Sequence, residues 1–157
     1  IWEHLMANSW CRRLIEGGAR EVEHVWSDPD LGECRCKMDV MTNVLFADWK
    51  TTTKTCARTF AADAYARFYD VRLALYRKGF LDLHGYFPEV YVVAIQTTGG
   101  MRVTPFRLPD AWLDEAEARL ILAVDDMARF NIDRYIDSQP MELVKPKYAT
   151  LDLESVE

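Results

Sequence analysis

The spacing of apolar and polar residues changes along the chain, and each change predicts an element. Leu5, Trp10 and Leu14 make a partial apolar stripe that predicts a helix over 2–16, stopped by Gly17-Gly18. Residues 20–27 alternate as a strand, with Val22, Val25 and Trp26 apolar. Asp28-Pro29-Asp30-Leu31-Gly32 reads as a turn, 33–40 as a second strand, Thr42-Asn43 as a tight turn and 44–50 as a third strand. Together these predict a three-stranded meander. Helical spacing then returns: Phe60, Ala64, Phe68, Val71 and Leu75 fall on one face and predict a long helix over 56–78, with Gly79 as its stop. Val90-Tyr91-Val92-Val93-Ala94-Ile95 predicts a strand and 101–107 another, joined by a turn at Thr98-Gly99-Gly100. Pro109 opens a helix over 110–130 with Leu113, Ala116, Leu120, Val124 and Met127 as its buried stripe. The order predicts an α/β fold: a mixed central sheet with helices on its faces. Residues 1–136 are expected to form the folded core, and 137–157, with Pro140 and Pro146, an extended acidic tail.

Composition narrows the class. The chain has 157 residues, half of them apolar and 28% charged, which is ordinary for one globular domain and excludes disorder throughout. No apolar run approaches the roughly 20 residues of a membrane span, and there is no basic-then-apolar leader, so a cytoplasmic protein with no membrane partner is expected. The first residue is Ile1 rather than Met, which reads as a fragment or a trimmed chain. Cys11, Cys34, Cys36 and Cys56 fit no zinc spacing and read as reduced structural thiols.

Net charge is −6, against a wholesale nucleic-acid coat, but it is unevenly spread. Residues 50–78 carry seven basic side chains against Asp63 and Asp70, a local +5 that leaves −11 over the rest. A local positive surface suits a polyanion, and a solvated helix face explains the same charge equally well. Lys54, Arg58 and Arg67 are candidates for backbone-phosphate contacts. They do not form one clean helical stripe.

The informative chemistry lies in Cys36-Lys37-Met38-Asp39 and Asp48-Trp49-Lys50. Residues two apart on a strand share a face, so Asp48 and Lys50 project together. If Thr42 and Asn43 are the two loop residues, Asp39 lies opposite Phe46 and Lys37 opposite Asp48. Asp39, Asp48 and Lys50 then share one face; a three-residue loop would turn Asp39 away. Two neighbouring carboxylates suit Mg²⁺ or Mn²⁺ beside a substrate phosphate, and an adjacent lysine can orient water or stabilise a developing oxyanion. From spacing alone, a cross-strand ion pair of Asp48 with Lys37 or Lys50 accounts for the same residues.

Asp39 with Asp48-x-Lys50 on a meander, followed by a long helix, resembles the PD-(D/E)xK nuclease superfamily, and more closely the RecE-type (exonuclease VIII) and phage-type exonucleases. Gly18-Ala19-Arg20-Glu21-Val22-Glu23-His24-Val25-Trp26, then Asp28 and Gly32, resembles the family's glycine–acid–strand lead-in. Asp48-Trp49-Lys50-Thr51-Thr52 resembles its D-x-K-T-T core, and Tyr69-Asp70-Val71-Arg72-Leu73-Ala74-Leu75-Tyr76 its Y-x-x-Q-x-x-x-Y helix. The similarity runs over about 2–130. It implies a restriction-endonuclease-like core in which Asp39, Asp48 and the Trp49 carbonyl hold Mg²⁺, with Mn²⁺ as an alternative. Lys50 is implied as the catalytic lysine and Glu21 as an upstream acid, with Glu23 its nearest rival on the same strand face. Arg72 stands where the family has glutamine and is implied as a phosphate grip, and Tyr76 as a supporting or DNA-contacting residue. The family also has a histidine on an upstream helix; only His4 and His24 precede Asp39.

The resemblance further implies a Mg²⁺-dependent deoxyribonuclease that degrades double-stranded DNA ends 5′ to 3′ in phage-type recombination. With it come a ring-shaped homo-oligomer, a single-strand annealing partner, and a phage or prophage origin in a bacterial host cell. Two alternatives differ in class: a catalytically silent DNA-binding or assembly module of the same fold, and an endonuclease or Cas4-like relative.

Overall fold

The computed structural model describes residues 1–54 and 56–130. In chain order these form α1 (Trp2–Ala7), α2 (Ser9–Gly17), β1 (Ala19–Asp28), β2 (Gly32–Met41), β3 (Leu45–Thr52), α3 (Ala57–Ala66), α4 (Tyr69–His84), β4 (Glu89–Gln96), β5 (Val103–Arg107) and α5 (Asp110–Arg129). The boundary expected at 136 and the tail at 137–157 lie outside the described residues.

The five strands form one sheet in the order β1-β2-β3-β4-β5. The expected meander and mixed sheet are borne out: β1–β2, β2–β3 and β4–β5 are antiparallel, while β3 and β4 are parallel and joined through α3 and α4. Alternation along the strands feeds two apolar layers. Met38, Phe46, Val90 and Val92 pack with Phe60, Leu73, Phe80 and Leu113 of α3, α4 and α5. Val40, Ala47, Val93 and Ile95 pack with Leu5, Cys11, Leu14 and Ile15 of α1 and α2.

Local chemistry divides the elements differently from the sequence periodicity. The first helix breaks at Asn8, whose side-chain oxygen accepts from the N–H groups of Trp10 and Cys11, both at 3.1 Å. That N-cap starts α2 afresh. The helix expected over 56–78 breaks at Phe68, which is left-handed (φ 56°) and exposed, so Phe68 leaves the apolar face assigned to it. Gly79 does not stop α4, which runs on to His84 and ends at Gly85 (φ 80°). Gly79 instead lets the helix approach the sheet: a Cβ there would sit 2.8 Å from the Trp26 ring and 3.0 Å from Cys36 Sγ.

The β2–β3 turn is also shifted. Thr42 N–H donates to the Leu45 carbonyl at 2.8 Å, and Thr42 Oγ1 accepts from Val44 and Leu45, so Asn43 and Val44 form the turn. Phe46 therefore pairs with Met41, not Asp39, and Val40 with Ala47. Lys37 pairs with Glu23 on β1 and does not lie opposite Asp48. The shift is two positions, so the parity relating Asp39 to Asp48 is unchanged.

Charged contacts lock α4 to α5. Buried Asp70 accepts from Trp112 Nε1 at 2.8 Å and pairs with Arg119. Buried Arg77 pairs with Asp114 and Glu117, and Lys78 spans Glu117 (2.9 Å) and Asp28 (3.1 Å). Two of the seven basic residues in 50–78 are thus taken up by the α4–α5 contact. Among the described residues, no helix is long and apolar enough to cross a membrane.

Replacing a helical glycine by alanine ordinarily gains up to about 1 kcal/mol. Gly79→Ala should reverse that sign, because Trp26 and Cys36 are buried and must shift, at a cost of roughly 1–3 kcal/mol. Urea denaturation should show a lower midpoint for the variant.

Candidate active site

The site forms where β2 and β3 part. Cys34, Cys36 and Met38 face the α3–α5 layer, but Val40 faces the α1–α2 layer and Met41 the α3–α5 layer again. The alternation slips by one residue at Asp39. Across the ladder, between the pairs Arg20–Val40 and Val22–Met38, stands Glu21 in the left-handed region (φ 54°). A non-glycine residue held there costs about 1–3 kcal/mol and clusters at functional sites. β3 leaves β2 after Ala47 and continues against β4, pairing Asp48 with Val92 and Lys50 with Ala94. The Trp49 N–H is taken by a side chain: it donates to Asp39 Oδ2 at 2.7 Å.

This geometry brings Asp39, Asp48 and Lys50 together. Asp48 is buried at 4% exposure. The Lys50 ammonium contacts Asp48 Oδ2 and reaches the Trp49 carbonyl at 3.2 Å. It bridges two of the three oxygen donors expected from the sequence, so those oxygens already accept a cation. Arg72 Nη2 lies 3.3 and 3.4 Å from the two Asp48 oxygens. The Tyr69 ring lies 5.4 Å from Lys50 Nζ and 5.8 Å from the Arg72 guanidinium. Burial pushes the Asp39 carboxyl above the usual carboxylate range; the Trp49 N–H opposes this, while the charge of Asp48 adds to it.

The other sequence candidates sit around this centre. Glu21 turns its carboxylate to Lys37, which also lies 3.9 Å from Glu23. Its charge still reaches Asp39 and raises that carboxyl further. Tyr76 is half-buried against Phe46 (6.4 Å between ring centroids), with the Arg72 guanidinium 6.0 Å above its ring. Burial raises its phenol, and Arg72 opposes that rise. Lys54 and Arg58 flank the exit of β3; both are exposed and have no ion-pair partner among the described residues. The Lys54 backbone is pinned, its carbonyl accepting from Gln96 Nε2 at 2.6 Å. Arg67 pairs with Asp63 at 3.1 Å. His24 pairs with Asp82 at 2.7 Å and stacks on Trp26, away from the carboxylates.

The four thiols are free, and burial pushes those of Cys11 and Cys36 up to about 11. Among the described residues, no group of three or more His, Cys, Asp or Glu side chains is arranged to hold a metal. Two carboxylates and a carbonyl nevertheless match what Mg²⁺ takes from a protein when substrate phosphates and water complete its shell. Tyr69 is a site residue whose role periodicity did not reveal. Its signal was its place as the first tyrosine of the Tyr69–Tyr76 motif, at the start of α4.

The profile of a PDDEXK-like domain of unknown function (DUF3799) matches residues 1–131. Among solved structures, a crystal structure described as a "putative exonuclease" from Eubacterium rectale superposes with a TM-score of 0.64 at 13% identity. The match covers 98% of this chain, which spans 64% of the length of that one. The likeness shows a shared fold. No curated protein sequence matches significantly.

Asp39 binds its proton more tightly in the fold than in the unfolded chain, so its ionisation costs stability. The loss begins as pH rises past the ordinary carboxylate value of 3.8 and is complete above the raised one. Asp39→Asn keeps an oxygen for the Trp49 N–H and removes that charge. Denaturation at pH 7 should find the variant more stable than the wild type. At pH 3 the gain should vanish.

Proposed function

Because the chain belongs to the family of PDDEXK-like domains of unknown function (DUF3799), we propose that it is a metal-dependent nuclease acting at the parting of β2 and β3. The observation that carries this reading is the buried Asp48 carboxylate, beside Asp39 and under the Lys50 ammonium. Asp39, Asp48 and the Trp49 carbonyl would hold Mg²⁺ or Mn²⁺, whose chemistry when bound is to acidify a water and offset charge on the phosphodiester. Lys50, whose ammonium is already at the site, would act on the attacking water or the developing oxyanion. Glu21, held beside Asp39 by a strained backbone, would supply a further acid at the upstream edge. Lys54, Arg58 and Arg72 would take backbone phosphates, a contact that is independent of sequence and sensitive to salt. Tyr76 would support Arg72 from below.

The finer reading is an exonuclease that enters double-stranded DNA ends and degrades 5′ to 3′ in phage-type recombination. A ring of identical copies would enclose the duplex and pass its product to a single-strand annealing protein. The −11 net charge outside residues 50–78 suits an outer surface turned away from DNA. These points rest on the resemblance of Asp39, Asp48-Trp49-Lys50-Thr51-Thr52 and the Tyr69–Tyr76 helix to that family.

Linear and covalently closed duplexes, incubated with Mg²⁺ or EDTA, test both levels. The linear form alone should disappear, only with Mg²⁺, and Lys50→Ala should lower the rate by about 10²–10³. Cutting of the closed form would replace the exonuclease reading by an endonuclease. Duplex binding without cutting of either form would leave a silent DNA-binding module.

A further inference from the structure

Asp48 carries two cations on one buried carboxylate. They are not equivalent. Lys50 lies on the same strand, its side chain is 15% exposed, and it is also tied to the Trp49 carbonyl. Arg72 comes from α4, its side chain is 42% exposed, and it offers one nitrogen to both oxygens at 3.3 and 3.4 Å. The two-nitrogen fork that makes arginine–carboxylate pairs strong is not used. Its Nε and Nη1 have no hydrogen-bond partner among the described residues. The ring faces of Tyr69 and Tyr76, 5.8 and 6.0 Å away, hold the guanidinium at the mouth of the site.

A divalent cation placed on Asp39 and Asp48 would meet both positive charges at close range, where repulsion is strong in a partly buried setting. The longer, more exposed contact is the one that yields. We propose that Arg72 is an exchangeable counter-ion: it neutralises Asp48 in the free protein, and when a divalent metal takes that carboxylate it transfers to a nucleic-acid phosphate. Metal and nucleic acid then bind cooperatively through one side chain, and the coupling is reciprocal. The inference rests on the metal-dependent nuclease reading above and adds to it the regulation of the same site.

The test needs no turnover. Calorimetric titration of the nucleic-acid-free protein with Mn²⁺ should give about tenfold tighter binding for Arg72→Gln than for wild type, a typical coupling. Arg72→Lys, which keeps the charge, should bind as wild type does. Fluorescence anisotropy with a labelled duplex should show that Ca²⁺, relative to EDTA, tightens wild-type binding about tenfold more than that of Arg72→Gln. Equal or weaker Mn²⁺ binding by Arg72→Gln overturns the exchange. If wild-type Mn²⁺ binding is then lost in Asp39→Asn, the metal site stands and only the exchange falls. If wild type takes up no Mn²⁺, both fall together.

Discussion

A carboxylate enclosed in the middle of a sheet strand must be balanced by positive charge, because an unpaired buried ion is far more costly than a paired one. Asp48 imposes that requirement here, and much of the surrounding structure answers it. Strand geometry supplies Lys50 from two residues away on the same face. Arg72 is available only because α4 begins at Tyr69, after the left-handed turn at Phe68. The same turn puts the Tyr69 ring near both cations. Among the described residues Asp39 forms no ion pair; burial raises its proton affinity, and the Trp49 N–H and the Lys50 charge oppose that rise.

The basic run over 50–78 has two destinations that composition alone cannot separate. Arg77 and Lys78 are spent inside the protein, joining α4 to α5 and to the end of β1. Lys50 and Arg72 face the carboxylate, while Lys54 and Arg58 are exposed beyond the end of β3. A residue count gives a patch of +5, whereas the fold gives a smaller cationic rim beside an internal ion network. The network matters to the site because Asp70, its most buried member, sits between Tyr69 and Arg72 in sequence and fixes the start of α4.

Much of this was legible in the sequence, for physical reasons. The meander, the strand over 90–95 and the final helix follow from period and breaker residues; which pair in the mixed sheet is parallel does not. The common face of Asp39, Asp48 and Lys50 follows from parity, which survives a two-residue error in register. What period could not show were breaks made by single residues: the Asn8 cap, the left-handed Phe68, and Gly79 serving close packing rather than a stop. The slip at Asp39 was hidden for a related reason. Met38, Val40 and Met41 are all apolar, so the face change leaves no mark in the hydrophobic pattern. Arg72's contact with Asp48 joins residues 24 apart, and only the tertiary fold brings them together.

The left-handed backbone at Glu21 has a second effect, at the scale of the whole sheet. Among the described residues β1 is an outer strand of 10 residues, long enough to recruit a strand from another molecule. Its bend at Glu21, flanked by the charges of Arg20 and Glu23, interrupts the straight row of donors and acceptors that such recruitment needs. At the opposite margin, β5 is short and contains Pro105, which has no N–H to offer. Both margins therefore resist growth of the sheet from molecule to molecule.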